Sequence, residues 1–371
     1  MKFKINKADF YQAIQNIIGV IPTKTTLPIL SNVLLDLQEN TLNLTGTDLE
    51  VSISTQIPVQ GDEDGAVAIP AKRLFDIVRE LPDIPLEFNV DESFKVLLNT
   101  DNGFYRISGE SKEDFPKATK DEESGSFTVD SERFMNMINK TIFAVSADEL
   151  RTTLMGVFLK VMENELRMVS TDGHRLAKIV DKGFKSAGLE RETVIPTKAL
   201  NLLLKNQSSK EINVKLSDDH IIFELGNTII HSKCIEGQFP NYERVIPMDN
   251  DKELIVNRDL LSSSVRRVAI FSNSITNQIR LSISNNLVKI QSEDIEFGGE
   301  ARESIDSEYN GDDIEIGYNA TYLLDILRHV DTEDVVFKLK DAISAGLIYP
   351  SSQQEDEDVM MLLMPIRLNE D

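Results

Sequence analysis

The sequence predicts an α+β protein made of three copies of one domain, each with two helices packed on antiparallel sheets. Two observations lead there. A strand-then-helix segment occurs three times, as "FKINKADFYQAIQNIIGV" from Phe3, "FTVDSERFMNMINKTIFAV" from Phe127 and "LIVNRDLLSSSVRRVAIF" from Leu254. A second helical segment recurs in step with it: "VAIPAKRLFDIVREL" (67–81), "TVIPTKALNLLLKN" (193–206) and "IEIGYNATYLLDILRHV" (314–330). Self-similarity at a fixed long period is the mark of a repeat architecture. The copies are expected at 1–122, 123–250 and 251–371, and the alternation of helix and meander hints that each is itself doubled.

In each first segment an apolar lead meets a polar residue suited to N-capping: Asn6, Asp130 or Asn257, at intervals of 124 and 127 residues. Such a side chain accepts a hydrogen bond from a free N–H of the first turn. A helical period follows. Phe10, Ile14, Ile17 and Ile18 mark the buried stripe in copy one, Phe134, Ile138 and Ile142 in copy two, and Leu261, Val265 and Val268 in copy three. The opposite faces carry Lys7, Tyr11 and Gln15, then Arg133, Asn136 and Lys140, then Arg258, Ser262 and Arg266. Pro70 and Pro196 open the second helices, where a missing N–H costs least. These helices are expected to expose Lys72, Arg73 and Arg79, then Lys198 and Lys205, then Arg328. Between the helices, alternating segments predict meanders turning at Glu39-Asn40, Glu163-Asn164 and Asn285-Asn286, and a further hairpin turning at Gly226-Asn227.

A chain of 371 residues has room for two or three cores, and 41% hydrophobic with 27% charged residues is an ordinary soluble mixture. No apolar run approaches the ~20 residues of a membrane span. "MKFKINKADF" has no apolar core of a signal peptide, and the single Cys234 cannot form an internal disulfide. A reducing cytoplasm is the expected compartment. The net charge of −23 argues against a broad basic face for nucleic acid. It leaves room for a local one, because fields fade over a Debye length of about 8 Å at physiological salt. The acidic residues gather in loops such as "GDEDG" (61–65) and "QQEDED" (353–358), while the outer helix faces lean basic or neutral. A basic surface within an acidic body suits phosphate contact without base reading.

"STDGHRLA" (170–177) looks most like chemistry. A hydrolase would use His174 as base, Asp172 to orient it, and Ser170 or Thr171 as nucleophile. Neighbours along a strand point to opposite faces, however, and the chain has neither a G-x-S-x-G elbow nor a P-loop. His174, His220, His231 and His329 show no metal-ligand spacing. No catalytic residue, metal or cofactor is expected. Copy one carries "GTDLEVS" (46–52) at the equivalent place, keeping Thr47-Asp48 without a histidine. The Thr-Asp pair is therefore read as a shared turn in which Asp172 bonds local backbone.

With the repeat in hand, "MKF" at the start, "TLPILSNVLL" (26–35), "LTGTDLE" (44–50), "TDGHRLA" (171–177), "FPNYERVIP" (239–247) and "MPIRL" (364–368) together resemble the bacterial DNA polymerase III beta subunit, the sliding clamp family. The resemblance runs along essentially the whole chain. It implies three clamp domains in a head-to-tail homodimer whose ring encloses duplex DNA, with helices toward the pore. It also implies a processivity factor, opened by a separate ATP-driven clamp loader, that hydrolyses nothing itself.

The family binds a short linear motif of polymerases, the loader and repair proteins in a hydrophobic cleft. Carried over, that cleft comprises Leu154, Thr171, Gly173, His174, Arg175, Leu176, Pro240, Arg244 and Val245. The third domain adds Asn319, Tyr322, Ile343, Leu362, Met364, Pro365, Ile366, Arg367 and Leu368. Leu176 and Met364 would wall an apolar pocket, and Arg175, Arg244 and Arg367 would hold peptide carbonyls or carboxylates. Ile366 stands where many members have Met, and Thr152 and Thr153 where some have aromatic residues. The expected DNA-facing cations are Lys24, Lys72, Arg73, Arg79, Lys140, Lys198, Lys205 and Arg266. The subunit seam would set Tyr105 and Ile107 against Ile270 and Phe271. The rival is a non-catalytic repeat scaffold without a DNA role, which would not need basic residues on corresponding helix faces.

Overall fold

The computed structural model describes residues 1–116, 125–206, 209–294 and 298–368. The expected boundary between copies one and two, at 122/123, lies outside the described residues. The predicted helices form as α1 (Lys7–Ile18), α2 (Ala71–Glu80), α3 (Ser131–Asn139), α4 (Thr197–Lys205), α5 (Arg258–Val268) and α6 (Ala320–Arg328). Asn257 caps α5 by accepting from the Leu260 N–H, and Asp130 accepts from the Arg133 N–H at 2.9 Å. Asn6 makes no such bond. At the start of α1 the Ala8 N–H goes instead to the Asp83 carboxylate at 3.2 Å. Pro70 and Pro196 sit one residue ahead of α2 and α4, as the last residues of strands.

The helical stripes are buried as expected at Phe10, Ile14, Ile17, Phe134, Ile138, Leu261, Val265 and Val268. Ile18 and Ile142 are only half-buried. The first is the last residue of α1, and the second lies beyond α3 in the short 3-10 turn Ile142–Ala144, where the 3.6-residue period no longer applies. The four turns fall where predicted, with Gln38 opposite Thr41, Met162 opposite Glu165, Ser284 opposite Leu287 and Leu225 opposite Thr228.

The chain forms two compact units. The first comprises Met1–Met135 with Ile195–Ile235. It holds a five-stranded sheet ending at the strand Gly103–Ser108 and an eight-stranded sheet in which strands of the first and second repeats pair directly. Thr228–Ser232 run antiparallel to Val51–Thr55, and the buried hydroxyls of Thr55 and Thr228 lie 3.0 Å apart across that junction. The second unit comprises Asn136–Val194 with Glu236–Asp371. Its nine-stranded sheet joins the second and third repeats by pairing Arg175–Asp181 with Glu357–Leu363, and a four-stranded sheet ends at Gly299–Asp306. Each junction closes a strand edge whose N–H and C=O groups would otherwise lie open.

Candidate functional site

The segment Thr171–Arg175 is a turn held by its own side chains. The Asp172 carboxylate accepts the N–H groups of His174 at 2.9 Å and Arg175 at 3.0 Å, and the Thr171 hydroxyl donates to the Arg175 carbonyl at 2.7 Å. Copy one repeats this bond for bond. Asp48 accepts from Glu50 and Val51 at 3.0 and 2.8 Å, and the Thr47 hydroxyl donates to the Val51 carbonyl at 3.1 Å. The residue after each Asp takes a left-handed backbone, φ 90° at Gly173 and φ 81° at Leu49. Glycine suits that conformation, and at Gly173 a Cβ would also come within 3.0 Å of the Arg151 guanidinium. Ser170 is fully buried with its hydroxyl on the Thr141 carbonyl, and Asp172 is occupied by backbone rather than by imidazole. The arrangement orients a loop and assembles no nucleophile with a base.

Arg175 departs from its expected role. Its guanidinium is buried and donates to Asp172 at 3.2 Å, to Asp325 of α6 at 2.7 Å and to the Phe143 carbonyl at 2.8 Å. It lies 4.6 Å from the Tyr322 ring centroid. All three nitrogens are taken, so Arg175 ties the turn to α6 and does not present a free fork to a ligand. Arg151, absent from the sequence-derived set, secures the same turn through the Asp172 carbonyl at 2.9 Å and pairs with Asp148 at 3.0 Å. Its only local signal was the i,i+3 spacing of Asp148 and Arg151.

The turn carries His174 outward, its ring 6.0 Å from that of Tyr322 and nearly parallel to it. Asn319 caps α6, accepting from Thr321 and Tyr322, which sets the direction of the Tyr322 side chain. The C-terminal segment completes this corner. The Met364 N–H donates to the His174 carbonyl at 2.9 Å, and the Ile366 N–H to Gly317 at 2.8 Å. Gly317 is needed there, since a Cβ would sit 2.5 Å from the Ile366 carbonyl and 2.8 Å from the Leu368 side chain. Beneath lies a cross-strand row of Leu176, Leu362 and Leu347, all buried.

Pro240, Arg244 and Val245 belong to a separate segment. Tyr242 anchors it, packing on Phe158 and Phe239 and accepting a 2.8 Å bond from Arg167. Burial pushes the Tyr242 phenol above its ordinary value even though Arg167 pulls the other way. The helical turn Tyr242–Val245 leaves Val245 55% exposed, as Met364 is 41% exposed. Ile343 is exposed in the turn before strand Gly346–Pro350, and Leu154 is buried in the short turn Thr152–Leu154. The buried leucine row thus adjoins exposed Met364, while Val245 and Ile343 are exposed on their own segments, and Arg244 and Arg367 are exposed with no ion pair among the described residues. Since these side chains start only partly exposed, covering each would contribute roughly 1–2 kcal/mol.

The expected basic set divides. Lys24, Lys72, Arg73, Lys205 and Arg266 are exposed and form no ion pair among the described residues. Arg79 is exposed but paired with Asp76 and Glu80. Lys140 and Lys198 are corrections. The Lys140 side chain is 6% exposed, its ammonium held by Asp331 and the His329 carbonyl, and that of Lys198 is held by Asp48 and the Val20 carbonyl. Carboxylates distant in sequence neutralise both, and of the two only the Lys140 side chain is buried, that of Lys198 being 39% exposed. Ile107 is likewise a correction, 2% exposed and facing its own core opposite Val96. Its neighbours Phe104 and Tyr105 are exposed on the edge strand, and Ile270 and Phe271 are exposed in the short turn Ala269–Phe271 that follows α5.

Three family profiles match in order along the chain: DNA polymerase III beta subunit, N-terminal domain over residues 1–119, central domain over 128–241 and C-terminal domain over 243–367. The chain is 35% identical over 373 residues to the beta sliding clamp of Pseudomonas aeruginosa, spanning 99% of this chain and 100% of that protein. A crystal structure of a sliding clamp (DNA polymerase III subunit beta) from the same organism, bound to griselimycin, superposes with a TM-score of 0.94 at 35% identity, over 99% of this chain and 100% of that one. The DNA polymerase sliding clamp of Caulobacter crescentus superposes with a TM-score of 0.91 at 30% identity, over 99% and 100% of the two chains.

Proposed function

The chain belongs to the DNA polymerase III beta subunit family, the beta sliding clamps, and from that premise we propose how its residues share the work of a clamp. It is a processivity factor of DNA replication and a non-catalytic accessory subunit of the polymerase. The corner built by His174, Tyr322 and the segment Met364–Leu368, floored by Leu154, Leu176 and Leu362, docks short apolar peptides of polymerases, repair proteins and the clamp loader. The single observation that carries this reading is the exposure of Met364, bonded to the His174 carbonyl, beside a buried leucine row. Arg244 and Arg367 hold peptide carbonyls or carboxylates, Thr171, Gly173, Arg175 and Asn319 shape the site, and Pro240, Ile343, Pro365 and Ile366 border it.

Two copies form a head-to-tail ring around duplex DNA. Its seam sets the edge strand Gly103–Ser108 of one copy beside Gly299–Asp306 of the other, burying Phe104, Tyr105, Ile270 and Phe271. Support comes from the exposed apolar residues at edges that need covering. Lys24, Lys72, Arg73, Lys205 and Arg266, with Arg79, meet phosphates without reading sequence. The compartment is the cytoplasm; no helix among the described residues is long and apolar enough to cross a membrane. The direct test of the docking site removes Met364–Leu368 and measures a polymerase-tail peptide by calorimetry, with the dimer mass as control. Loss of binding at unchanged mass is expected; unchanged affinity would refute the assignment.

A further inference from the structure

The sheet face that carries the docking corner continues past it. On paired strands, same-face residues form cross-strand rows. Leu176, Leu362 and Leu347 share one row, and the next holds Lys178 and Met360. Over this second row lies Ile246–Asn250, the continuation of the helical turn that bears Val245. Between them is a pocket of about 320 Å³ lined by Ile246, Met248, Leu347, Tyr349 and Met360, with the charged side chains of Lys178, Lys338 and Asp358.

Its wall is fixed in place, because the Asn250 amide donates to the carbonyls of Lys338 at 2.8 Å and Ala345 at 2.9 Å. Its charge is uneven. Lys178 is matched by Asp358 at 3.3 Å, whereas the Lys338 ammonium lies over the Tyr349 ring at 5.6 Å and forms no ion pair among the described residues. The volume is at the small end for ligand pockets, which run from roughly 300 to 1,000 Å³, and suits one bulky side chain rather than a whole small molecule.

We propose that this pocket is a second anchor of the peptide-docking site, and that it takes a bulky apolar side chain flanking the partner's core motif while an adjacent carboxylate meets Lys338. Three features argue for that occupant. The pocket shares Leu347 with the leucine row, it shares a continuous segment with Val245, and its one unmatched charge is positive. The proposal rests on the docking-site reading but can fail separately from it.

The test uses the full-length protein with isotope-labelled methionine methyl groups. It compares a core polymerase-tail peptide with the same peptide extended by a Phe-Glu pair, at either end in separate peptides. One extended peptide is expected to bind about tenfold tighter than the core, the size of one charge-assisted hydrogen bond. It alone should shift the methyl signals of Met248 and Met360. Lys338→Glu should remove the gain and leave the core affinity unchanged. Extensions that add no affinity and leave those methyls unmoved overturn the proposal, as does a gain that Lys338→Glu leaves undiminished. If the core fails to bind while an extended peptide still moves Met248, the pocket stands and the docking corner falls. If no peptide binds, both fall.

Discussion

Arg175 donates to a carboxylate three residues away, to a second carboxylate 150 residues away and to a backbone carbonyl, all from a buried position. Removing its guanidinium leaves Asp172 with backbone N–H groups alone while Asp325 keeps Arg328 at 3.0 Å, so losing these charge-assisted bonds is expected to cost about 1.5–3 kcal/mol. Arg175→Ala is therefore expected to lower the unfolding free energy by that amount, seen as a lower denaturant midpoint, and to weaken peptide binding as the turn loses its tie to α6. An unaltered midpoint with weakened binding would return Arg175 to direct ligand contact. The turn itself was legible in the sequence, because the Thr-Asp pair recurs in two repeats. Leu49 shows that the local bonds impose the conformation even without glycine. The partner of the guanidinium was not legible, since Asp325 lies on another repeat and nothing local points to it. Lys140 misled for the same reason, since helical period places it outward but Asp331 of another repeat draws it in, and Asp48 of another repeat neutralises Lys198 while leaving it 39% exposed.

At the scale of elements, the helices, two-residue turns and apolar stripes follow from period and turn chemistry, which act within a few residues. The order of strands in the sheets does not. Ile107 and Phe104 both read as apolar strand residues, and only the pairing of Gly103–Ser108 to one neighbour decides which faces the core and which lies at an open edge. On the other edge, Gly299–Asp306 is fastened to α5 by Arg267, whose guanidinium donates twice to Glu303, at 2.6 and 2.5 Å. The bonds from Arg267, then Ser264, hold the Glu303 carboxyl down at about 2, below the ordinary 4.5. A depressed carboxyl contributes stability that is full above about 4.5 and lost as pH falls toward about 2. Carbon-detected titration of Glu303 is expected to show a midpoint near 2 that Arg267→Ala raises toward 4.5. A midpoint already near 4.5 in the unaltered protein would mean that the fork is not formed in solution.

For the whole molecule, a net charge of −23 and DNA as partner are most simply reconciled when retention does not depend on affinity. Five exposed cations with no ion pair among the described residues can each make a weak phosphate contact that salt erodes, whereas a closed ring holds regardless of contact strength. Topology of this kind leaves no mark on composition, which is why the repeat and the family motifs carried the functional reading and the charge did not. The decisive measurement loads the protein onto a nicked circular plasmid with a bacterial clamp loader, then follows retention through gel filtration in raised salt before and after a single double-strand cut. Retention on the circle and release after linearisation is the predicted result. Equal retention on both forms, or equal loss from both, would contradict a ring that slides on DNA.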